Sequence, residues 1–184
     1  MAIENSANSF RGVYFCTITN YKWLPLIDVT NAYDHIYDVF KMWKSQNVHI
    51  VSYVIMPNHI HLIVYIENED ISLMKLIANF KRFLAYEIVK RLKVMGEDKL
   101  LAKLRAGVKE SAKSKHHQVF EYSFDVKACY SKGFLAQKLN YIHANPVSKK
   151  WKLVDDYRLY PHSSAGFYEL GIIGLVEIFS YLDL

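Results

Sequence analysis

At 184 residues the chain has room for one domain of the usual ~100–200 residues and not for a second large one. Hydrophobic residues make up 52% and charged residues 22%, a composition that fills a core and excludes a disordered polymer. The net charge is +5, no apolar run approaches the roughly 18–20 residues of a membrane span, and the polar first ten residues do not read as a signal peptide. Cys16 and Cys129 show no metal-binding spacing and read as thiols of a reduced compartment. The expectation is a single cytoplasmic domain over residues 1–184.

Residues 10–20 are rich in β-branched and aromatic side chains and predict a first strand, ended by a turn at Leu24-Pro25-Leu26. Tyr33, Ile36, Tyr37, Phe40 and Trp43 follow helical spacing and predict an amphipathic helix over 31–45. Two strand-like runs, 48–56 and 59–66, are separated only by Pro57-Asn58 and predict a hairpin. A long helix follows over 72–94, capped by Asp70 or Ser72, with Leu73, Leu76, Ile77, Phe80, Leu84, Ile88 and Leu92 inward. Residues 96–117 are helix-permissive but weakly patterned and read as a basic insertion, mobile in expectation. Residues 120–130 predict a strand and 133–144 a helix that stops before Pro146. The tail, 151–184, carries turn signals at Tyr160-Pro161-His162-Ser163-Ser164 and an apolar end. These elements predict an α+β fold: an antiparallel, ferredoxin-like sheet with helices mainly on one face, a two-layer sandwich.

The charge is unevenly spread. Residues 75–115 hold 12 Lys/Arg against 4 Asp/Glu, whereas residues 1–74 hold 4 against 7 and residues 116–184 hold 7 against 7. A basic segment of this kind makes a polyanion the leading partner class. An ordinary solvated helix face reads equally well. Lys81 and Arg82 are the named candidates for phosphate contact.

Two constellations could carry chemistry. In MPNHIHLIV, His59 and His61 alternate with Ile60 and Leu62, so both imidazoles point to one face of a strand. Paired imidazoles suit a divalent metal, although two buried histidines satisfied by hydrogen bonds have the same spacing. In YIHANPV, Tyr141 and Asn145 lie one helical turn apart, presenting a phenol and an amide together. A lone helical tyrosine is otherwise a half-buried amphipathic side chain.

Taken in order, MPNHIHLIV, YIHANPV and YRLYPHSSAGFYELG, with ANFKRFLAYEIVKRL between the first two, resemble the single-tyrosine HUH transposases, particularly the REP-associated tyrosine transposases. The resemblance implies a ferredoxin-like fold, Mg2+ or Mn2+ bound by His59 and His61, and Tyr141 as nucleophile. It also implies Asn145 as the polar residue that completes the metal site, with Gln137 as a substitute. The implied substrate is single-stranded DNA beside a hairpin, cleaved and rejoined through a 5′-phosphotyrosine. Members of this group act as homodimers or as monomers, and the sequence leaves that choice open. Two other classes remain: a catalytically silent nucleic-acid-binding module on the same fold, which would form no covalent adduct, and a metal-dependent hydrolase whose turnover would survive Tyr141→Phe.

Overall fold

The computed structural model describes residues 11–110, 116–122 and 125–184. Phe10 of the predicted first strand, Lys113 and Lys115 of the basic segment, and residues 123–124 of the strand predicted over 120–130 lie outside the described residues.

Strand β1 (Gly12–Thr19) leads through a short 3-10 turn, Tyr21–Trp23, into helix α1 (Leu26–Val29). Helix α2 (Tyr33–Lys44) buries all five side chains that the helical spacing selects, and Val39 besides. Strands β2 (Val48–Met56) and β3 (His59–Ile66) have the predicted bounds, because Pro57-Asn58 leaves the alternation no other place to turn. Helix α3 (Leu73–Val94) buries the seven residues its period selects, and its cap is Ser72, whose hydroxyl accepts from the Lys75 amide. The segment read as a weakly patterned insertion carries helix α4 (Asp98–Ala106), which buries Leu101 and Leu104. Strand β4 (Asp125–Ala128) is shorter than the predicted run, of which Phe120 makes only an isolated bridge to Asn20. Helix α5 (Lys132–Ala144) starts on the Ser131 hydroxyl, which accepts from the Phe134 amide, and helix α6 (Ala165–Leu170) follows a 3-10 turn at Tyr157–Leu159.

The sheet order is β2-β3-β1-β4 and every pairing is antiparallel. With a helical crossover after β1 and another after the β2–β3 hairpin, this is the ferredoxin-like arrangement. One sheet face, carrying Cys16, Ile18, Ile60, Leu62 and Val64, packs against Ile36 and Phe40 of α2, Ile77, Phe80 and Leu84 of α3, and Leu101 and Leu104 of α4. Each such large apolar side chain stabilises the fold by roughly 1.5–3 kcal/mol on full burial. The other face, carrying Phe15, Val54, Met56 and Ile63, meets Leu135, Leu139 and Ile142 of α5. Most helices therefore share one face as expected, while α5 adds a partial third layer on the other.

A bulge in β2 reinforces that second face. Ile50 pairs with Val64 and Ser52 with Ile63, leaving Val51 as the extra residue. Val51 joins the apolar cluster under α5, and Ser52 hydrogen-bonds His143 of α5. Among the described residues no helix is long and apolar enough to cross a membrane.

Candidate metal and nucleophile site

Alternation along β3 sends His59, His61 and Ile63 to the face that α5 covers. His59 and His61 are only 2% and 4% exposed, with ring centroids 4.8 Å apart. Both rings are held at Nδ1. The antiparallel register places Thr17 opposite His61, and its Oγ1 lies 3.0 Å from His61 Nδ1. With the His59 proton assigned to Nδ1, that nitrogen donates to Asn58 Oδ1 at 2.8 Å. Asn145 also hydrogen-bonds the His59 imidazole.

Burial pushes His59 down to about 4; the Asn145 bond partly opposes this and the Lys150 ammonium adds to it. His61 is pushed down to about 3, first by burial, then by His59 and Lys138. Both rings are consequently neutral at pH 7.

Helix α5 brings the second constellation to the first. Leu135, Leu139 and Ile142 seat the helix on the sheet, and His143 Nε2 sits 3.3 Å from Ser52 Oγ and 3.0 Å from Ser164 Oγ. Tyr141 is thereby set over β3 at 50% exposure, its ring centroid 5.1 Å from that of His61 and 6.1 Å from that of Phe15. The helix ends at Ala144, but the residue before Pro146 is not pushed out of the helical region as the sequence predicts. Asn145 keeps φ −58° and ψ −45° and opens a 3-10 turn, so its side chain stays one turn beyond Tyr141. His59, His61, Tyr141 and Asn145 thus come together. Gln137 is exposed, and among the described contacts the bond to His59 comes from Asn145.

Lys81 and Arg82 do not join this group. They lie on α3, across the sheet; Lys81 donates to the Glu121 carbonyl at 2.8 Å, and exposed Arg82 stacks on its neighbour Phe83.

Several residues of the site escape the sequence motifs. Lys138, one turn before Tyr141, places its ammonium over the rings of Phe15, Phe134 and Tyr141, at 4.7, 5.3 and 5.6 Å from their centroids. Its helical spacing from Tyr141 is a legible signal. Thr17 reaches His61 through strand register, which no motif encodes, while Asn58, inside MPNHIHLIV, reaches His59 from the hairpin turn in a role its place in the motif does not reveal. Trp23 and Trp151 flank His59, with ring centroids 5.4 and 5.6 Å from it.

Among the described residues no group of three or more His, Cys, Asp or Glu is placed to hold a metal. The donor set is two neutral imidazoles and one amide. It fits a divalent cation, because ligand histidines must be deprotonated and oriented through their second nitrogen, and both rings meet those conditions.

No family model matches the sequence, and no curated protein matches it significantly. Among solved structures, the chain resembles a REP-associated tyrosine transposase bound to a REP hairpin, with 16% identity over 98% of this chain and 93% of that one, and a TM-score of 0.56. It is also matched to a transposase candidate from Deinococcus radiodurans R1, with 14% identity over 77% of this chain and 95% of that one; that TM-score, 0.39, supports no argument. At these identities the likeness establishes the fold alone: the chain folds as the REP-associated tyrosine transposase does.

Proposed function

We propose that this protein is a transposase that cleaves and rejoins single-stranded DNA through a 5′-phosphotyrosine at Tyr141. The observation that carries this reading is the placing of a half-exposed phenol beside two buried, neutral histidines and an amide on one sheet face. The fold likeness to a tyrosine transposase solved on a REP hairpin supports DNA beside a hairpin as substrate.

His59, His61 and Asn145 would hold Mg2+ or Mn2+, which when bound supplies positive charge to a non-bridging phosphate oxygen. Thr17 and Asn58 keep the two imidazoles turned toward that position by engaging Nδ1 of each. The Tyr141 oxygen attacks phosphorus in line with the leaving 3′ oxygen; the Oη–P bond forms as the P–O3′ bond breaks. The phenol surrenders its proton and the departing 3′ oxygen gains one, so charge balances. The Lys138 ammonium, 5.6 Å from the Tyr141 ring centroid, offers positive charge to the phosphate under attack. Attack by a 3′-hydroxyl on the tyrosyl phosphodiester reverses the step and rejoins DNA. The ester conserves the bond, so no nucleoside triphosphate is required, and the sequence has no GxxxxGK[ST] string.

Labelled single-stranded hairpin DNA incubated with the protein and Mn2+ should yield a denaturation-resistant protein–DNA band. That band should vanish with Tyr141→Phe and with chelator. DNA binding without any adduct would replace this reading with the catalytically silent binding module, and cleavage that survives Tyr141→Phe would replace it with metal-activated water.

A further inference from the structure

Beside the histidines lies an aromatic and basic cluster that the cleavage step leaves unused. Trp23 is 48% exposed. Its ring centroid lies 6.5 Å from that of half-buried Trp151, and the Lys150 ammonium stands 4.2 Å from the Trp23 centroid and 5.0 Å from the Trp151 centroid. Lys149 and Lys152 flank the cluster, both exposed.

The backbone that presents Trp23 is strained. Lys22 and Trp23 are consecutive left-handed residues, with φ of 50° and 58°, a conformation that costs energy for side chains with a Cβ. Hydrogen bonds from other elements hold it there: the Lys22 amide donates to Glu121 Oε1 at 2.7 Å, and Asn58 Nδ2 donates to the Trp23 carbonyl at 2.9 Å. Asn58 accepts from His59 through its other side-chain atom, so one amide sets both the indole and the histidine. Strain that the surroundings over-determine in this way concentrates at functional positions.

We propose that Trp23, Trp151 and Lys150 form a platform that seats a nucleotide flanking the scissile phosphate, its base stacked on the Trp23 indole and its phosphate paired with Lys150. This rests on the reading of the site as one for single-stranded DNA. Stacking on an aromatic face accepts any base, and a lysine at the rim matches the phosphate charge. The platform thus positions the strand and leaves sequence choice to other contacts. An apolar peptide would not use the three lysines, which is the charge argument for a polyanion here.

The test uses the 184-residue protein carrying Tyr141→Phe, which on that reading lacks the attacking phenol, with two hairpin oligonucleotides. One carries a single-stranded thymidine tail; the other carries the same tail built of abasic sugars. The chain has three tryptophans and Trp43 is buried in the core, so quenching of tryptophan fluorescence by DNA reports Trp23 and Trp151. The thymidine tail should quench and should bind about 5- to 150-fold more tightly than the abasic tail. Trp23→Ala should abolish that difference, and Trp23→Tyr should restore most of it. Lys150→Ala, on an exposed loop, should make the slope of log K against log salt shallower by about 0.7. Equal binding of the two tails to the Tyr141→Phe protein, or an unchanged salt slope in Lys150→Ala, overturns the platform. The covalent-adduct assay is read separately. An adduct at Tyr141 with no difference between tails sinks the platform alone, while base-dependent quenching without an adduct upholds the platform and sinks the cleavage reading.

Discussion

Thr17 reaches His61 only because β1 and β3 pair antiparallel in a register that sets the two residues opposite each other. Its hydroxyl holds Nδ1, and loss of an outer partner of this kind commonly weakens metal binding about 10- to 100-fold. Thr17→Val, close in shape, should therefore lower Mn2+ affinity by that factor in calorimetric titration while leaving the circular dichroism spectrum unchanged; an unaltered affinity would remove the cation from this histidine. The same burial has a consequence for stability. His59, His61 and His143 are pushed down to about 4, 3 and 4, in each case chiefly by burial, from an unfolded value near 6.5. Between those values the unfolded chain binds more protons than the folded one. The stabilisation is complete above about pH 7.5 and is lost as pH falls toward 4. Urea unfolding should show a loss on the order of 1–2 kcal/mol per histidine between pH 7 and pH 5, with no fall from these groups between pH 7.5 and 8.5. A stability that is flat down to pH 5 would contradict the buried, neutral assignment.

Helix α5 carries Tyr141, the proposed nucleophile, and its depth on the sheet is set by apolar contacts and by one polar cluster. Ser164 Oγ sits 3.0 Å from His143 Nε2 and 2.9 Å from Ser52 Oγ, and it accepts from the Tyr53 amide at 3.0 Å. Ser164→Ala would leave those buried groups short of a partner, at about 1–3 kcal/mol. For a chain of this length that corresponds to a melting temperature lower by roughly 2–12 °C. Adduct yield should fall with it, because Tyr141 rides on the same helix; a variant that melts and reacts as the parent does would show the cluster to be incidental. The elements themselves were largely readable. Strand-like runs on either side of Pro57-Asn58 mark both edges of the hairpin, and the helical period of α3 selects its buried side without error. Periodicity says which side of a helix faces inward but not which face of the sheet it meets, so the placing of α5 opposite α2 and α3 was not legible. Neither was the bulge at Val51, since the apolar residues of VHIVSYVIM fall on both sides of the strand and one added residue leaves no distinct break in the pattern. Helix α4 was obscured because only Leu101 and Leu104 anchor it amid lysines.

Across the whole molecule, the basic excess and the candidate site separate. The positive charge concentrated in residues 75–115 includes that of α3 and α4, helices packed against the sheet face opposite His59 and His61, whereas Lys138 and Lys150 stand beside the site. A short single strand at the site and a longer hairpin stem would therefore meet different cations. We propose that Lys81 and Arg82 serve the longer substrate. Lys81→Ala with Arg82→Ala should flatten the salt dependence of hairpin binding by about 1–2 in slope, and Arg82→Ala alone, which among the described residues breaks no bond to another element, should account for about half. An unchanged slope would remove both from the interface. At this scale the candidate site was legible as two motifs, HIH and YIHAN, but their meeting depends on strand register and helix placement. The three aromatic and basic residues around His59 come from two loops far apart in the chain, which no local pattern joins. The central claim is the chemical identity of the covalent link. Trypsin should release Tyr141 within residues 139–149, and mass spectrometry of the protein–DNA adduct should find that peptide bearing a nucleotide through its 5′-phosphate on Tyr141. A nucleotide on another tyrosine, a 3′-phosphate link, or no modified peptide at all would contradict the account.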